Sequence, residues 1–426
     1  MSVPEDFLHY LWKFRLFKQQ GLATVDGEPV EIISVGLHNK HAGPDFESAT
    51  IRIGSTLWAG NVEIHLRSSD WEKHQHQIDQ TYDSVILHVV ARHDQDIFRM
   101  DGTKIPVIAL EGLIPKKISD NYLRLQECMD WIPCGNQVSS LDPFHIRYWL
   151  YRVEIERIEE KAELINLALK EFKGSWDDAF YVSLARNFGF KTNAIPFEML
   201  ARSLPQSLLA RYKNRPLQVE SLIFGQAGFL FSRHKDEYPE MLRREYLFLK
   251  KKHSLQPMDN YVWKYMRMRP VNFPTIRLAQ FAALIIRSNH LFSRILAEKD
   301  IRKIIALFDN LPVSKYWHNH YRFDTETSFY SPRLGKQSVD NILINTVSVF
   351  MMAYGRMTGS QEHIGRSLNL LEYLPGETNA VTSRFKETGL TAESAFFSQS
   401  MIQLKKAYCD QKKCLSCGIG MKILNG

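Results

Sequence analysis

Hydrophobic and polar positions follow one rhythm up to about residue 130 and another beyond it. In the first part, apolar residues alternate with polar ones, or run unbroken, over strand lengths: residues 23–25, 30–35, 49–53, 58–66, 84–91 and 105–110. Gly, Asp-Gly or Asn bounds these runs, and Asp26-Gly27 and Asp101-Gly102 have the composition of hairpin turns. A helix is expected before them, because Phe7, Leu8, Leu11, Trp12 and the 14–17 run cluster at helical spacing. Beyond residue 140 the period becomes helical. Asp142-Pro143 supplies an N-cap acid followed by proline in the first turn. Tyr151, Ile155, Ile158, Ala162, Ile165 and Leu169 follow at steps of four and three. Similar faces recur over residues 176–187, 196–201, 217–230, 237–251, 276–286, 301–308 and 341–354, with no internal repeat. The chain reads as α+β: an N-terminal mixed α/β sheet module over residues 1–135, then a mostly α-helical region over residues 136–426.

Composition narrows this picture modestly. A length of 426 residues with 44% hydrophobic and 24% charged residues is that of a folded chain able to bury a large core. No apolar run approaches the roughly 18 residues that a membrane helix requires. The opening Met1-Ser2-Val3-Pro4-Glu5-Asp6 carries acids where a signal peptide carries lysines, so a cytoplasmic protein with no membrane partner is expected. Fifty-four basic against 47 acidic side chains leave a net charge of +7, which permits a polyanionic partner without requiring one. Clusters such as Arg243-Arg244 and Lys250-Lys251-Lys252 fit a solvated helix face equally well. No Walker-type loop, dinucleotide glycine signature or Gly-x-Ser-x-Gly is present, which removes those enzyme classes as leading ideas.

Candidate chemistry is concentrated in residues 42–76. Asp45 precedes one strand, Gly54-Ser55 forms a tight turn, and the next strand carries Glu63 and His65. Residues two apart on a strand share a face, so Glu63 and His65 project together. A hairpin then brings Asp45 beside Glu63. Two converging carboxylates repel unless a cation lies between them, and Mg²⁺ favours such oxygen ligands. The alternative is a purely structural hairpin, with Glu63 at the surface and His65 as a hydrogen-bonded sheet residue.

Pro44-Asp45 followed by Glu63-Ile64-His65 on the next strand resembles the PD-(D/E)xK nuclease signature, with histidine in the lysine position. The resemblance covers roughly the first hundred residues. It implies a restriction-endonuclease-like module in which Asp45 and Glu63 hold Mg or Mn and His65 acts on the attacking water. Arg67 or Lys73 is then the candidate for the missing positive charge. A second resemblance runs end to end. The segments "NKHAGPDF", "GNVEIHLRSSDWEKHQHQIDQTYDSVILHVV", "RPLQVESLIFGQAGFL", "RPVNFPTIRLAQ" and "YCDQKKCLSCGIG" together are similar to an uncharacterised family of Bacteroidetes proteins, which implies a bacterial chain and no particular activity.

Asn39, Arg67, Lys73, His74 and His76 are candidate substrate contacts. Ser69-Asp70 reads as an N-cap and residues 71–80 as one short helix, which would point His74 and His76 in different directions. A metal-binding role for that pair would need an extended backbone instead. Cys409, Cys414 and Cys417 form a C-x4-C-x2-C group, and Cys134, preferred to Cys128, is a candidate fourth ligand. Such clustering favours metal over disulfide in a reducing compartment, as zinc or a [4Fe-4S] cluster. Some nucleases of the superfamily this module resembles clamp a cluster with one upstream and three downstream cysteines, a similar layout.

In the helical region, Gly225 and Gly228 are expected at a tight helix crossing or a helix break. Arg267, Arg269 and Arg277 around Asn272-Phe273 suit either a nucleic-acid backbone or a capped helix start. Three functions are therefore expected in turn: a metal-dependent nuclease acting on nucleic acid; a nuclease-like binding protein without activity; or a protein of another class with a structural hairpin.

Overall fold

The period-two pattern of the N-terminal part becomes a six-stranded sheet. In the computed structural model, which describes residues 4–39, 41–288 and 290–426, its strands are β1 (Val30–Ser34), β2 (Leu37–His38), β3 (Phe46–Ile53), β4 (Thr56–Arg67), β5 (Val85–Arg92) and β6 (Val107–Ala109). The order is β1-β3-β4-β5-β6, with β2 on β3. β1, β3 and β4 pair antiparallel, whereas β4-β5 and β5-β6 are parallel. Gly54 (φ +57°) and Ser55 close the β3-β4 hairpin in two residues, as expected. The run at 23–25 amounts to a single bridge between Ala23 and Pro29 around Gly27. The parallel β4-β5 step needs a crossover, and α2 (Asp70–Lys73) with two 3₁₀ turns supplies it.

Apolar spacing decides what each element buries. α1 (Glu5–Phe14) buries Phe7, Leu8, Leu11 and Trp12 completely, and the Trp12 indole N–H donates to the Val35 carbonyl at 3.1 Å. On β4, Val62 and Ile64 are buried on one face, while Glu63 and His65 are buried on the other. A central strand with one apolar and one polar buried face is the feature on which the candidate site is built. Trp71 of α2 anchors the crossover by packing with Val85, Val90, Ile97, Ile105 and Val107.

The chain divides into two compact units, Met1–Trp149 with Leu404–Gly426, and Leu150–Gln403. The second unit is mostly helical and has one large apolar core. Its helix Pro216–Gln226 shows why the glycines stand where they do. A Cβ on Gly225 would lie 2.1 Å from the Tyr246 ring, and Gly228 takes φ +83° just past the helix end. Arg277 does not face a ligand. It is buried on the helix Pro274–Arg287, bonded to Asn272, Gln280 and Ser338 and stacked 4.5 Å from the Phe190 ring. The helix begins at Pro274 with no side-chain cap, and Arg277 belongs to its packing. No helix among the described residues is long and apolar enough to cross a membrane.

Glu220, on the same helix as Gly225, is 7% exposed, and burial pushes its carboxyl up to about 7. A folded state that holds a proton the unfolded state releases loses stability as pH rises from about 4.5 to about 7, and no further above that. At 1.36 kcal/mol per unit the loss is about 3 kcal/mol. Glu220→Gln is therefore expected to flatten this part of the stability–pH curve and to raise stability at pH 8. Urea denaturation at pH 5 and pH 8 measures it, and parallel curves for both proteins contradict the assignment.

Candidate metal centre

The site begins with the hairpin register. Phe46 pairs with Val62, which sets Asp45 beside Glu63 although 18 positions separate them. A register shift between Phe46 and Ala49, with Ser48 at φ +57°, bends the start of β3. Two reciprocal bonds lock the carboxylates: the Asp45 N–H donates to Glu63 Oε2 at 3.1 Å, and the Ile64 N–H donates to Asp45 Oδ2 at 2.9 Å. Burial, reinforced by the Asp45 charge, pushes the Glu63 carboxyl up to about 8.

Imidazoles surround this pair. His65 is 1% exposed. Its Nε2 lies 3.4 Å from Glu63 Oε1 and 3.1 Å from His74 Nδ1, and its Nδ1 lies 2.9 Å from His88 Nε2. His76 Nε2 also lies 3.4 Å from Glu63 Oε1. The His76 ring stacks 3.7 Å from Tyr82 and meets Trp71 edge-on. Burial, with neighbouring histidines, drives His65 down to about 3, and burial also lowers His76 and His88. These rings are neutral at physiological pH. On the far side, His9 of α1 lies 3.2 Å from Asp45 Oδ2. Burial opposes its charge, but the hydrogen bond and charge of Asp45 outweigh it and raise His9 overall. Glu5, one helical turn earlier, is raised to about 7 by burial and by Asp45. Two donor groups thus gather within 4.8 Å among the described residues: His65-His74-His76 and Glu5-His9-Asp45.

The expectation that His74 and His76 diverge on one helix over residues 71–80 is corrected here. α2 stops at Lys73, and Gln75 adopts a left-handed conformation at φ +64°. That reversal turns both rings back onto His65. Of the other candidate contacts, Asn39 organises its own loop: its Oδ1 accepts from the His41 N–H, and its Nδ2 donates to the carbonyls of Ala42 and Pro44. Lys73 is solvent-facing and pairs with Asp70 at 3.5 Å. Arg67 lines a cleft of about 640 Å³ at the C-terminal ends of β4 and β5, together with Arg92 and Lys116. Spacing rules missed His9, Glu5, His88, Arg92 and Lys116. The available signals were the Glu5-His9 i,i+4 pair and a lone histidine in the apolar run of β5.

A match over residues 5–380 connects the chain to the proteins of unknown function grouped as DUF2851. The chain belongs to the DUF2851 family. No curated protein and no solved structure matches it. The match takes in both donor groups and leaves the three C-terminal cysteines outside.

In this DUF2851 chain those cysteines, with Cys134, lie in the first unit. Burial, and then their mutual repulsion as thiolates, raises Cys134 to about 12 and Cys414 to about 11, and moves Cys409 in the same direction. Burial also raises Cys417, against hydrogen bonds from the backbone of Gly420 and Ile419 and from Trp149. The tail is tied down by other contacts too. Asn121 of α3 (Lys116–Glu127) donates to the Ile423 carbonyl, Tyr10 to Asn425, and Gln126 to the Lys412 carbonyl.

Trp71, fully buried and bonded to the Phe98 carbonyl at 3.1 Å, holds the turn that carries both histidines. Trp71→Ala is expected to cost about 3–5 kcal/mol. Chemical denaturation measures this, and a loss below about 1 kcal/mol would contradict the anchoring role.

Proposed function

We propose that the protein is a metal-dependent phosphodiesterase acting on nucleic acid, built on a restriction-endonuclease-like sheet module. The observation that carries the reading is the locked carboxylate pair, with Glu63 buried beside Asp45. Such a pair suits Mg²⁺ or Mn²⁺, which would polarise the phosphate and lower the pKa of a bound water. Water oxygen then bonds to phosphorus as the bond to the leaving sugar oxygen breaks. The water proton passes to solvent, and the leaving oxygen takes one back. Arg67 and Arg92 stand opposite each other on adjacent parallel strands. Like charges so aligned are unfavourable unless an anion lies nearby; Lys116 adds a third positive charge at that cleft, against the Glu111 carboxylate in its lining and Asp94 near Arg67. The excess of positive charge suits a phosphodiester backbone.

One observation favours a second reading, a nuclease-like protein that binds nucleic acid without cutting it. His65 is neutral and both its ring nitrogens face protein groups, so the fixed charge of a lysine is missing at that position. Purified protein tests both readings. With Mg²⁺ or Mn²⁺ it is expected to cleave DNA or RNA, and Asp45→Ala and Glu63→Ala should each lower the rate at least about a hundredfold. Full activity in either variant rejects the assignment. Salt-sensitive binding without cleavage in the wild type selects the second reading.

The cysteine group is proposed as a separate [4Fe-4S] centre in preference to zinc. A Zn–S distance of about 2.3 Å requires sulfurs about 3.8 Å apart. The groups of three or more donors within 4.8 Å are the two described above, so these thiols stand wider among the described residues. A cubane attaches each cysteine to a different iron and spreads the sulfurs further. Backbone N–H groups bonded to Cys417 suit a thiolate ligand. Protein isolated without oxygen is expected to contain iron and sulfide, with broad absorption near roughly 400 nm. Cys417→Ser should lower both iron content and melting temperature. Metal-free wild type, or stoichiometric zinc without iron, would overturn this centre.

A further inference from the structure

We infer that His65, His74 and His76, with Glu63, form a binding site for a divalent transition metal of the zinc, cobalt or iron class. The argument is geometric. His65 Nε2, His74 Nδ1, His76 Nε2 and Glu63 Oε1 are four donors from three segments: a strand, a helix end and a 3₁₀ turn. Their measured separations are 3.1 Å (His65 to His74), 3.4 Å (His65 to Glu63) and 3.4 Å (His76 to Glu63). A metal–nitrogen distance of about 2.0–2.1 Å sets the edge of a regular tetrahedron at about 3.3 Å. These three edges therefore already stand near coordination spacing, and the three histidines have donor nitrogens within 4.8 Å of one another.

Donor chemistry selects the metal. Three imidazoles and one carboxylate suit zinc and its neighbours, whereas magnesium and calcium prefer oxygen ligands. Neutral rings have a lone pair to offer, and burial keeps His65 and His76 neutral. A second layer orients the first. When His65 coordinates through Nε2, its Nδ1–H donates to His88 Nε2, and His88 then carries its own proton on Nδ1. That Nδ1 is buried without a hydrogen-bond partner. Orienting His65 is the service His88 gives in return for a polar atom left unsatisfied in an apolar strand. His74 is exposed and so leaves an entry path from solvent.

The site shares Glu63 with the carboxylate pair of the phosphodiesterase reading but does not depend on that reading, and it is tested as a binding site alone. Dialysed full-length protein is titrated with Co²⁺ under argon while visible absorption is followed. One equivalent should bind with nitrogen and oxygen coordination, and thiolate charge-transfer bands identify any ion taken up by the cysteines instead. His74→Ala and His76→Gln should each weaken that equivalent by at least about tenfold at unchanged circular dichroism. Asp45→Asn should retain it. Wild-type affinity in both histidine variants, or displacement of Co²⁺ by equimolar Mg²⁺, overturns the inference. Histidine-dependent Co²⁺ binding in a protein that cleaves nothing supports the site and sinks only the phosphodiesterase reading. Wild-type Co²⁺ affinity in His74→Ala and His76→Gln, alongside Mg²⁺-driven cleavage that both variants keep, overturns the site and leaves that reading standing.

Discussion

A carboxyl group buried on a central strand constrains the first unit more than any other single feature. Glu63 is 4% exposed, with Asp45 beside it and the His65 and His76 imidazoles against Oε1. Isolated burial of a carboxylate is prohibitive, and the group keeps its proton unless charge or hydrogen bonds compensate. The surroundings compensate only in part, and Glu63 stays raised to about 8. A backbone N–H from the start of β3 reaches Oε2, and ring nitrogens reach Oε1. The hairpin register, the bend at Ser48 and the short crossover are the means by which a polar strand face stays buried.

Much of this was legible because it is periodic. Strand alternation and the Gly54-Ser55 turn fix the hairpin, and the hairpin fixes the Asp45–Glu63 meeting. The convergence of His74 and His76 was not legible. It depends on Gln75 adopting a left-handed backbone, which glutamine has no special tendency to adopt, so helical spacing gave the wrong directions. His88 was hidden for the opposite reason. Its neighbours Val85, Ile86, Leu87, Val89 and Val90 are so uniformly apolar that the run reads as buried strand, and a single histidine does not alter that pattern.

The helical unit shows the same division. Prolines at the starts of Pro216–Gln226 and Pro274–Arg287 mark boundaries that local chemistry dictates. Arg277 could not be assigned from sequence, because its partners Phe190, Asn272, Gln280 and Ser338 are brought together only by packing. A cation next to an aromatic in sequence reads as a surface feature. The same cation with four partners is part of the core.

On the proposed reading, His65 is the one departure from the nuclease signature. Lysine at position 65 would bring a fixed charge and no available lone pair, whereas neutral histidine brings a lone pair and no charge. Substituting one for the other in an otherwise unchanged site would leave two carboxylates with less positive charge than before. It becomes coherent when the replacement is considered with its neighbours. His76 lies against the same Glu63 oxygen, His74 lies against His65 Nε2, and His88 is hydrogen-bonded to the other nitrogen of His65. On the proposed reading, the missing lysine and the surplus of histidines would be a single change, from oxygen ligands beside an ammonium to a site with nitrogen donors.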